Sequence, residues 1–326
     1  MTAYIIRRIL LGVPILFGVL FLLFVLFFLY SDPDLMARKA LGEKASAEVI
    51  QRWKHGHGYD RPRFYNDAYR PTQAGFYTDT ILYNHFAGML TFDFGKSDID
   101  DSPILERIRR GAGPSLTVTV PIFLLGTIVT ILIASFVAFF RGTYIDHVGL
   151  FATVLTMSVV VFVYILVGQY VFSKEWRWFP MSGFDRATVW KFVTLPVLVG
   201  ILSNLGGGVR FYRTVLLEEI SRDYVRTARA KGVGEPSIMF RHVLKNAMLP
   251  ILTSLVMQIP FLFLGSLLLE NFFGIPGLGS MTFDAIQRND FATLRVMVFI
   301  GAIVFIIGQI LTDISYCLVD PRVRLQ

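Results

Sequence analysis

Residues 210–250 read RFYRTVLLEEISRDYVRTARAKGVGEPSIMFRHVLKNAMLP and separate two long apolar blocks of the sequence. A helical segment with so many charges cannot lie in lipid, because each central charge costs about 3 kcal/mol there. The stretch must therefore project from one face of a membrane, while the blocks on both sides cross it. Its charge and position indicate a surface for another protein, and the competing interpretation is an ordinary solvated loop.

The composition places the chain among membrane proteins. Of its 326 residues, 54% are hydrophobic and only 17% are charged, against about 25% charged residues in soluble domains. We interpret the net charge of +7 through membrane topology rather than nucleic-acid binding, because Lys and Arg accumulate on the cytoplasmic side. The single cysteine, Cys317, excludes an intrachain disulfide.

The apolar blocks predict an all-α integral membrane protein with six transmembrane helices and a large external segment between the first and second. Each block can cross a hydrocarbon core of about 30 Å as a helix. The first is interpreted as an uncleaved anchor, since it is too long for a signal peptide and no cleavage site of small residues follows. The predicted spans are residues 9–30, 116–140, 148–172, 188–209, 249–269 and 294–318.

The distribution of Lys and Arg orients these spans. The segments on one side hold 13 of these residues, and the two short loops on the other side hold 6. The first set comprises the N-terminus, 141–147, 210–250 and 319–326, and the second comprises 173–191 and 270–295. Long loops translocate largely regardless of charge, so residues 31–113 are left out of the comparison. Both termini and 210–250 are therefore predicted to be cytoplasmic.

This topology divides the chain into three parts. Residues 1–30 form an N-terminal anchor helix, residues 31–113 an external, periplasmic segment, and residues 114–326 a five-helix core that contains the cytoplasmic loop 210–250. The external segment has too many aromatic residues to be disordered. We expect it to form an ordered cap of short helices.

Apolar residues in the cytoplasmic loop recur at helical spacing, which predicts a helix with one buried face. They are Leu217, Ile220, Tyr224 and Ala228. Gly232 can adopt a positive φ and end this helix, and Pro236 suits the first turn of a second helix that continues to about Ala247. The sequence thus predicts two short helices joined at an angle. Small residues lie at the corner, where another protein can approach closely.

The run DYVRTARAKG at 223–232, followed by His242, Asn246 and Leu249-Pro250, resembles the coupling loop of bacterial ABC importer permeases. More narrowly, it resembles the B-type permease subunit of the dipeptide/oligopeptide family. Further motifs in the expected order extend the resemblance over nearly the whole chain, namely YDRP at 59–62, DFGKS at 93–97, ENFFGIPGLG at 270–279 and DPRV at 320–323. One departure is SVVVF at 158–162, where the family has a proline that would kink the third span.

The resemblance implies three groups of site residues and no catalytic residue. The ATPase-coupling residues would be Asp223, Tyr224, Arg226, Thr227, Ala228, Arg229, Ala230, Lys231 and Gly232. The residues supporting the loop would be His242, Asn246 and Pro250. The residues contacting an external binding protein would be Glu270, Phe273, Pro276, Gly277 and Gly279.

The same resemblance implies a transport subunit of the inner membrane with no cofactor or metal of its own. ATP and Mg would be bound by partner chains. The partners would be a second, homologous permease, two cytoplasmic ATPase subunits, an external solute-binding protein and membrane lipid, with no nucleic acid. The substrate stays open among dipeptides, oligopeptides, antimicrobial peptides, nickel complexes, glutathione and oligosaccharides. The alternative is an ion-gradient-driven secondary transporter or channel, which buried charge pairs or inverted repeats would favour.

Other features of the sequence carry weaker signals. Residues 94–97 (FGKS) lack the glycine that a P-loop needs at position 90, and His55 and His57 lack a third metal ligand. Asp313, inside the last span, is interpreted as a structural cap, a subunit contact or part of a proton relay. Three polar residues of the spans either line a polar route or bond helices together. They are Asn204, Gln258 and Gln309.

Overall fold

The computed structural model describes the backbone of residues 2–30, 32–42 and 44–319, and the side chains within those ranges from residue 7 to residue 314. The described residues form helices and turns without a β-strand. The helices are α1 (Thr2–Phe24, continued by a π-helical turn at Val25–Tyr30), α2 (Pro33–Leu41), α3 (Ala47–His57), α4 (Gly75–Thr78), α5 (Ile81–Leu90), α6 (Ile104–Phe139), α7 (Tyr144–Ser158), α8 (Val161–Gly168, continued by a π-helical turn at Gln169–Glu175), α9 (Val189–Ile220), α10 (Asp223–Ala230), α11 (Glu235–Ser237, continued by a π-helical turn at Ile238–Val243), α12 (Leu244–Leu262), α13 (Leu267–Phe273), α14 (Leu278–Arg288) and α15 (Phe291–Val319). The motif at 320–323 lies outside the described residues.

Six membrane crossings fit these helices. Five segments are each long and apolar enough to span a membrane as one helix, and the bent pair α7 and α8 gives a sixth crossing when it is counted as one broken span. The five are Arg7–Tyr30, Ile104–Phe139, Val189–Ile220, Glu235–Leu262 and Phe291–Ile314. The prediction of an all-α membrane protein with six spans is therefore confirmed.

The third span bends by 91° between α7 and α8 although it contains no proline. Val159 and Val160 are extended, with ψ angles of 124° and 142°, and β-branched side chains favour this conformation. The hydroxyl of Tyr164 donates to the carbonyl of Thr156 at 2.8 Å. One of the carbonyls freed at the end of α7 is thereby satisfied, so the bend needs no proline.

The fifth span lies closer to the N-terminus than the predicted 249–269. A single helix runs from Glu235 to Leu262, so the predicted second helix of the loop and the span are continuous. Pro250 lies inside this helix, as membrane helices tolerate. The helix ends early because Gly265 adopts a φ of 73° and Ser266 caps the N-terminus of α13, its hydroxyl accepting a hydrogen bond from the backbone N–H of Leu269 at 3.4 Å.

The chain forms two compact units. The first comprises 1–113 with 277–310, and the second comprises 114–276 with the chain from 311 onward. Most of the last span thus belongs with the N-terminal unit. Each unit has its own apolar core, around Phe24, Ile104 and Phe299 in the first and around Leu216, Ile251, Leu195 and Phe273 in the second.

A buried carboxylate explains this grouping in the first unit. Asp290, only 3% exposed, precedes α15 and accepts hydrogen bonds from the hydroxyls of Ser97 and Thr293, both at 2.6 Å. It also accepts from the backbone N–H groups of Asp98 and Thr293, and Arg107 Nη1 lies 3.5 Å away. Asp290 therefore caps α15 and joins it to residues of the 31–113 segment.

We expect Asp290→Ala to destabilise the protein by about 3 kcal/mol, because buried donors would lose a charged acceptor. The thermal unfolding midpoint of the protein purified in detergent measures this effect. Asp284→Ala, at an exposed position of α14, is the matched control and should leave the midpoint unchanged. Equal midpoints for the two variants would contradict a stabilising role for the Asp290 network.

Candidate functional site

The candidate site begins where α9 ends. This helix has 32 residues and is about 48 Å long at 1.5 Å per residue, whereas a hydrocarbon core is about 30 Å thick. About one third of α9 must therefore extend beyond the membrane. The extension ends at Ile220, and α10 follows after a turn at Ser221 and Arg222.

One face of α10 packs on the second unit. Val225 and Ala228 are 0% and 8% exposed and belong to the same apolar cluster as Leu216 and Ile220. Among the predicted stripe residues, Ile220 and Ala228 are buried, whereas Leu217 and Tyr224 are half-buried. The reason is that the turn between α9 and α10 interrupts the helical phase on which the predicted stripe depended.

Tyr224 is held by polar contacts at the edge of this cluster. Its hydroxyl donates to Glu219 Oε2 at 2.7 Å, and Asn246 is within hydrogen-bonding reach. Burial raises the pKa of Tyr224, so the hydroxyl stays protonated and able to donate at physiological pH. Asn246, predicted to support the loop, thus lies at the loop. His242 and Pro250 are half-buried in the helix that follows.

Gly232 ends α10 in the left-handed conformation, with a φ of 79°. Its N–H donates to the carbonyl of Arg229 at 2.9 Å, and the N–H of Val233 donates to the carbonyl of Ala228 at 3.2 Å. These bonds define a Schellman motif, which favours glycine at this position. Arg229 also donates to both oxygens of Glu235, at 2.6 and 3.1 Å. The corner between α10 and α11 is therefore held by backbone hydrogen bonds and by this ion pair.

The remaining face of α10 and its corner are exposed. The exposed members of the predicted coupling set are Asp223, Arg226, Thr227, Arg229, Ala230, Lys231 and Gly232. Three of these seven residues are basic and one is acidic. The arrangement presents a short helix with an exposed, charged face on an apolar support, and two of its basic residues, Arg226 and Arg229, pair with Asp223 and Glu235.

A buried ion pair that the sequence analysis missed stabilises α9 two turns before its end. Arg213 donates through Nε and Nη2 to the two oxygens of Asp146, at 2.9 and 2.8 Å, and the side chains are 15% and 7% exposed. The N–H of Gly142 also donates to Asp146 at 3.0 Å. This pair joins the start of α7 to the extension of α9. The opposite charges and helical positions of the two residues were visible in the sequence, but their pairing was not.

A polar cavity of about 530 Å³ lies in the second unit, between α6, α9 and α12. Its lining combines hydroxyl and amide groups with apolar side chains and contains no charged residue. The amides of Asn204 and Gln258 each donate only to a carbonyl one turn earlier in their own helix. These contacts favour a polar route over a bond between helices for the two residues. Gln309 is exposed in α15 and is not part of this lining.

Three successive glycines of α9 shape this cavity. A Cβ on Gly206 would lie 2.6 Å from the carbonyl of Thr153 in α7, and one on Gly208 would lie 2.7 Å from the methyl group of Thr130 in α6. A Cβ on Gly207 would meet no atom within 4 Å, and Gly207 lines the cavity. The outer two glycines therefore permit close helix packing, and the middle one leaves the cavity wide.

The five predicted binding-protein contacts are mostly buried. Pro276 is exposed, whereas Glu270 and Phe273 are 0% and 2% exposed, and Gly277 and Gly279 are also buried. Glu270 accepts a hydrogen bond from the N–H of Ser266 at 3.0 Å. Pro276 is thus the one of the five that a partner could contact without rearrangement, because the other four are buried within the fold.

The weaker sequence signals have structural explanations. Ser97, in the FGKS sequence, donates to Asp290, and His55 pairs with Asp60 at 2.8 Å. His57 Nδ1 lies 2.9 Å from the carbonyl of Trp53. Within the described ranges, no three His, Cys, Asp or Glu residues are grouped to hold a metal ion. Asp313 is half-buried in α15.

We expect Asp146→Asn and Arg213→Gln each to destabilise the protein by about 3 kcal/mol, because each leaves one buried charge without its partner. The double variant should recover a large part of the loss, since it removes both charges. Thermal unfolding midpoints in detergent measure the loss of stability in the two single variants and in the double variant. The exposed pair Glu218 and Arg222, changed to Gln in the same way, is the control. Additive losses in the double variant would contradict the pairing.

Comparisons with known proteins agree with this geometry. Residues 130–325 match the family of binding-protein-dependent transport system inner membrane components. Over 329 residues, covering 99% of both chains, the sequence is 29% identical to the glutathione transport system permease protein GsiC of Escherichia coli strain K12 and to that of Salmonella typhi. Such permeases are the membrane components of ABC transporters, whose ATPase activity resides in separate subunits. The chain belongs to this family of binding-protein-dependent inner membrane transport components.

Proposed function

We propose that this permease couples ATP hydrolysis by separate subunits to the import of short peptides. The exposed face of α10 carries the proposal, because it is a charged helix face on an apolar support at the end of a helix that also borders the polar cavity. One continuous element, α9, therefore connects the candidate docking surface to the candidate route. ATP-driven movement of a partner at α10 would act on the cavity through this helix.

The coupling follows from differential binding. An ATPase can shift the permease between two conformations only if it binds them with different free energies. The α10 surface supplies such a contact, since its buried face packs in the apolar cluster that it shares with α9 and the turn Ile238–Val243, and its other face is exposed. The Asp146–Arg213 pair would carry the movement of the α9 extension to α7, and so to the bent third span.

The chemistry of the cavity supports a peptide substrate. Hydroxyl and amide groups can bond to the carbonyl and N–H groups of a peptide backbone, which all peptides share. A lining without charges neither attracts nor repels any particular ionised side chain, so it suits substrates of varied sequence. The similarity to a glutathione transport permease adds small peptides such as glutathione to this substrate class.

The proposed assembly and topology extend the family relationship. The chain would pair with a second, homologous permease and bind two ATPase subunits, with ATP and Mg held by those subunits. Both termini and α10 would face the cytoplasm, and 31–113 would face outward to receive a loaded binding protein. The second permease would supply the other wall of the cavity.

A secondary transporter is the competing function, and buried charges would favour it. The Asp146–Arg213 pair is buried, but it is closed by its own hydrogen bonds and does not line the polar cavity. A gradient-driven ion or proton would need acidic or basic side chains along its route, and the lining of this cavity contains no Asp, Glu, His, Lys or Arg. The family relationship also favours the ATP-driven importer.

We expect Gly232→Val to reduce peptide uptake by roughly fivefold or more while ATP hydrolysis without binding protein persists, a loss on the scale of an allosteric coupling free energy. The valine would be strained at a φ of 79° and would alter the docking corner. Uptake and ATPase activity are measured in proteoliposomes that contain the complete importer. Gly42→Val, equally exposed and at a φ of 96°, is the matched control. Normal coupled uptake by the Gly232 variant would refute the docking role.

We expect Gly207→Leu to fold normally and to reduce uptake of tripeptides more than uptake of dipeptides, because its side chain enters the cavity without a clash. The same proteoliposome assay, with labelled peptides of both lengths, measures the ratio. Gly206→Ala is the control for packing, since its methyl group would collide with α7 and lower the yield of folded protein. An unchanged length preference in the Gly207 variant would place the substrate route elsewhere.

A further inference from the structure

The first unit contains a cavity of about 730 Å³ that the sequence did not indicate. Its walls come from α3, the turn after α3, α5, residues 93–96 and the first turn of α15. Its volume falls within the range of about 300–1,000 Å³ that is typical of small-molecule sites. All of its lining residues belong to the first unit, so the cavity is separate from the polar route in the second unit.

The floor of this cavity holds a buried arginine. Arg295 is 7% exposed. Its Nη2 donates to the Tyr59 hydroxyl at 2.5 Å, and its Nε donates to the carbonyl of Phe291 at 3.3 Å. The guanidinium also lies over the rings of Phe28 and Tyr59, at 4.4 and 5.5 Å. No carboxylate oxygen in the described part of the chain lies within 4.0 Å of this guanidinium.

The nearest counter-charge does not reach the cavity. Asp98 is 4% exposed, and its two oxygens accept hydrogen bonds from the Tyr59 hydroxyl at 2.9 Å and the N–H of Ala292 at 2.8 Å. Burial raises the pKa of Asp98. Asp98 is also absent from the cavity lining, whereas Arg295 and Tyr59 are part of it. The floor therefore presents a positive charge.

The rim carries charges of both signs. It carries Arg52, Arg61 and Lys96, against the carboxylates of Asp93 and Asp101. Arg52 and Arg61 pair with Glu48 and Asp79, which are outside the lining and whose exposed ion pairs contribute little. The two rim carboxylates can accept an ammonium group.

His85, which lines the cavity together with His57, adds no charge at neutral pH. His85 is 7% exposed, and its Nε2 lies 3.2 Å from the carbonyl of Leu20. Burial, with a further contribution from the charge of Arg295, lowers the pKa of His85 to about 4. The positive charge of the floor therefore comes from the arginine alone.

Aromatic rings complete the walls. Trp53 stacks on His57 at 4.4 Å, and its ring lies 5.3 Å from that of Tyr59. A cavity with a buried guanidinium, apolar aromatic faces and carboxylates at its rim fits an organic ligand with a carboxylate at one end and an ammonium group at the other. An inorganic anion would leave most of the volume and the aromatic faces unused.

We propose that this cavity binds short peptides, with the terminal carboxylate on Arg295 and the amino group toward Asp93 and Asp101. The peptide class rests on the proposed function, and the carboxylate requirement rests on the cavity. The chain would then have a peptide site in the 31–113 unit in addition to the polar route. Such a site would hold a peptide near the outer end of the last span.

The test uses the importer in nanodiscs with its partner subunits and without binding protein. Triglycine and triglycinamide, which lacks the carboxylate, are compared by isothermal titration calorimetry. We expect triglycinamide to bind at least tenfold more weakly than triglycine. Arg295→Gln should weaken triglycine binding at least tenfold, and Arg295→Lys should weaken it less because the charge remains.

Two further variants keep the test decisive where the Arg295 variants fail to fold. Val49→Trp, on the exposed part of the wall, should fill the cavity and abolish the preference for triglycine over triglycinamide, which the uncharged polar route does not supply, without disturbing the floor. Arg288→Gln, at an exposed position of α14 outside the lining, should bind triglycine normally. Equal binding of peptide and amide, or an unchanged preference for triglycine in Val49→Trp, overturns the site.

The result also separates this site from the proposed function. If the unmodified importer takes up no peptide, the proposed function fails, and the comparison of triglycine with triglycinamide still decides the site. If uptake is normal but the preference for triglycine is unaffected in Val49→Trp, the site fails and the function stands. Triglycine binding that requires added binding protein also overturns the site, and assigns the cavity to contact with that protein.

Discussion

The close packing of α9 at Gly206 and Gly208 is the constraint on which the second unit depends. Without side chains at these positions, α9 can approach α7 on one side and α6 on the other. Membrane helices associate mainly through such close contacts, because lipid provides no hydrophobic driving force between them. The same close approach fixes Gly207 between the two contacts, where its missing side chain widens the polar cavity. The three glycines therefore determine both the close packing of α9 and the width of the polar cavity.

The length of α9 connects this packed region to α10, the proposed docking surface. A helix about 48 Å long passes the cavity, extends beyond the membrane and supports α10 on its end. Two features stiffen the extension: the apolar cluster under Val225 and Ala228, and the bidentate pair between Arg213 and Asp146. A force on α10 would therefore move the helix as a unit instead of bending its end. Such stiffness is what a mechanical coupling element needs.

The first unit depends instead on a network of buried polar groups. Asp98, Asp290 and Arg295 are all buried, and each is satisfied by hydroxyls, backbone N–H groups or aromatic faces. A fully satisfied polar network specifies one arrangement of the segments that it joins. It also holds Arg295 at the surface of a cavity, where no carboxylate of the described residues lies in contact with it. The network is therefore both a structural tie and the reason that the cavity is positively charged.

The sequence by itself determined the all-helical membrane fold, the number of crossings, the charged loop and the left-handed corner at Gly232. These follow from composition, apolar run lengths and the special backbone freedom of glycine, which are local properties. It misplaced the fifth span and the phase of the apolar stripe, because a turn at Ser221 and a glycine at 265 interrupt the helices. Only the tertiary structure decided the pairing of Asp146 with Arg213, the two cavities and the burial of Glu270. Those depend on residues far apart in the chain, such as Ser97 and Asp290, whose proximity no local pattern encodes.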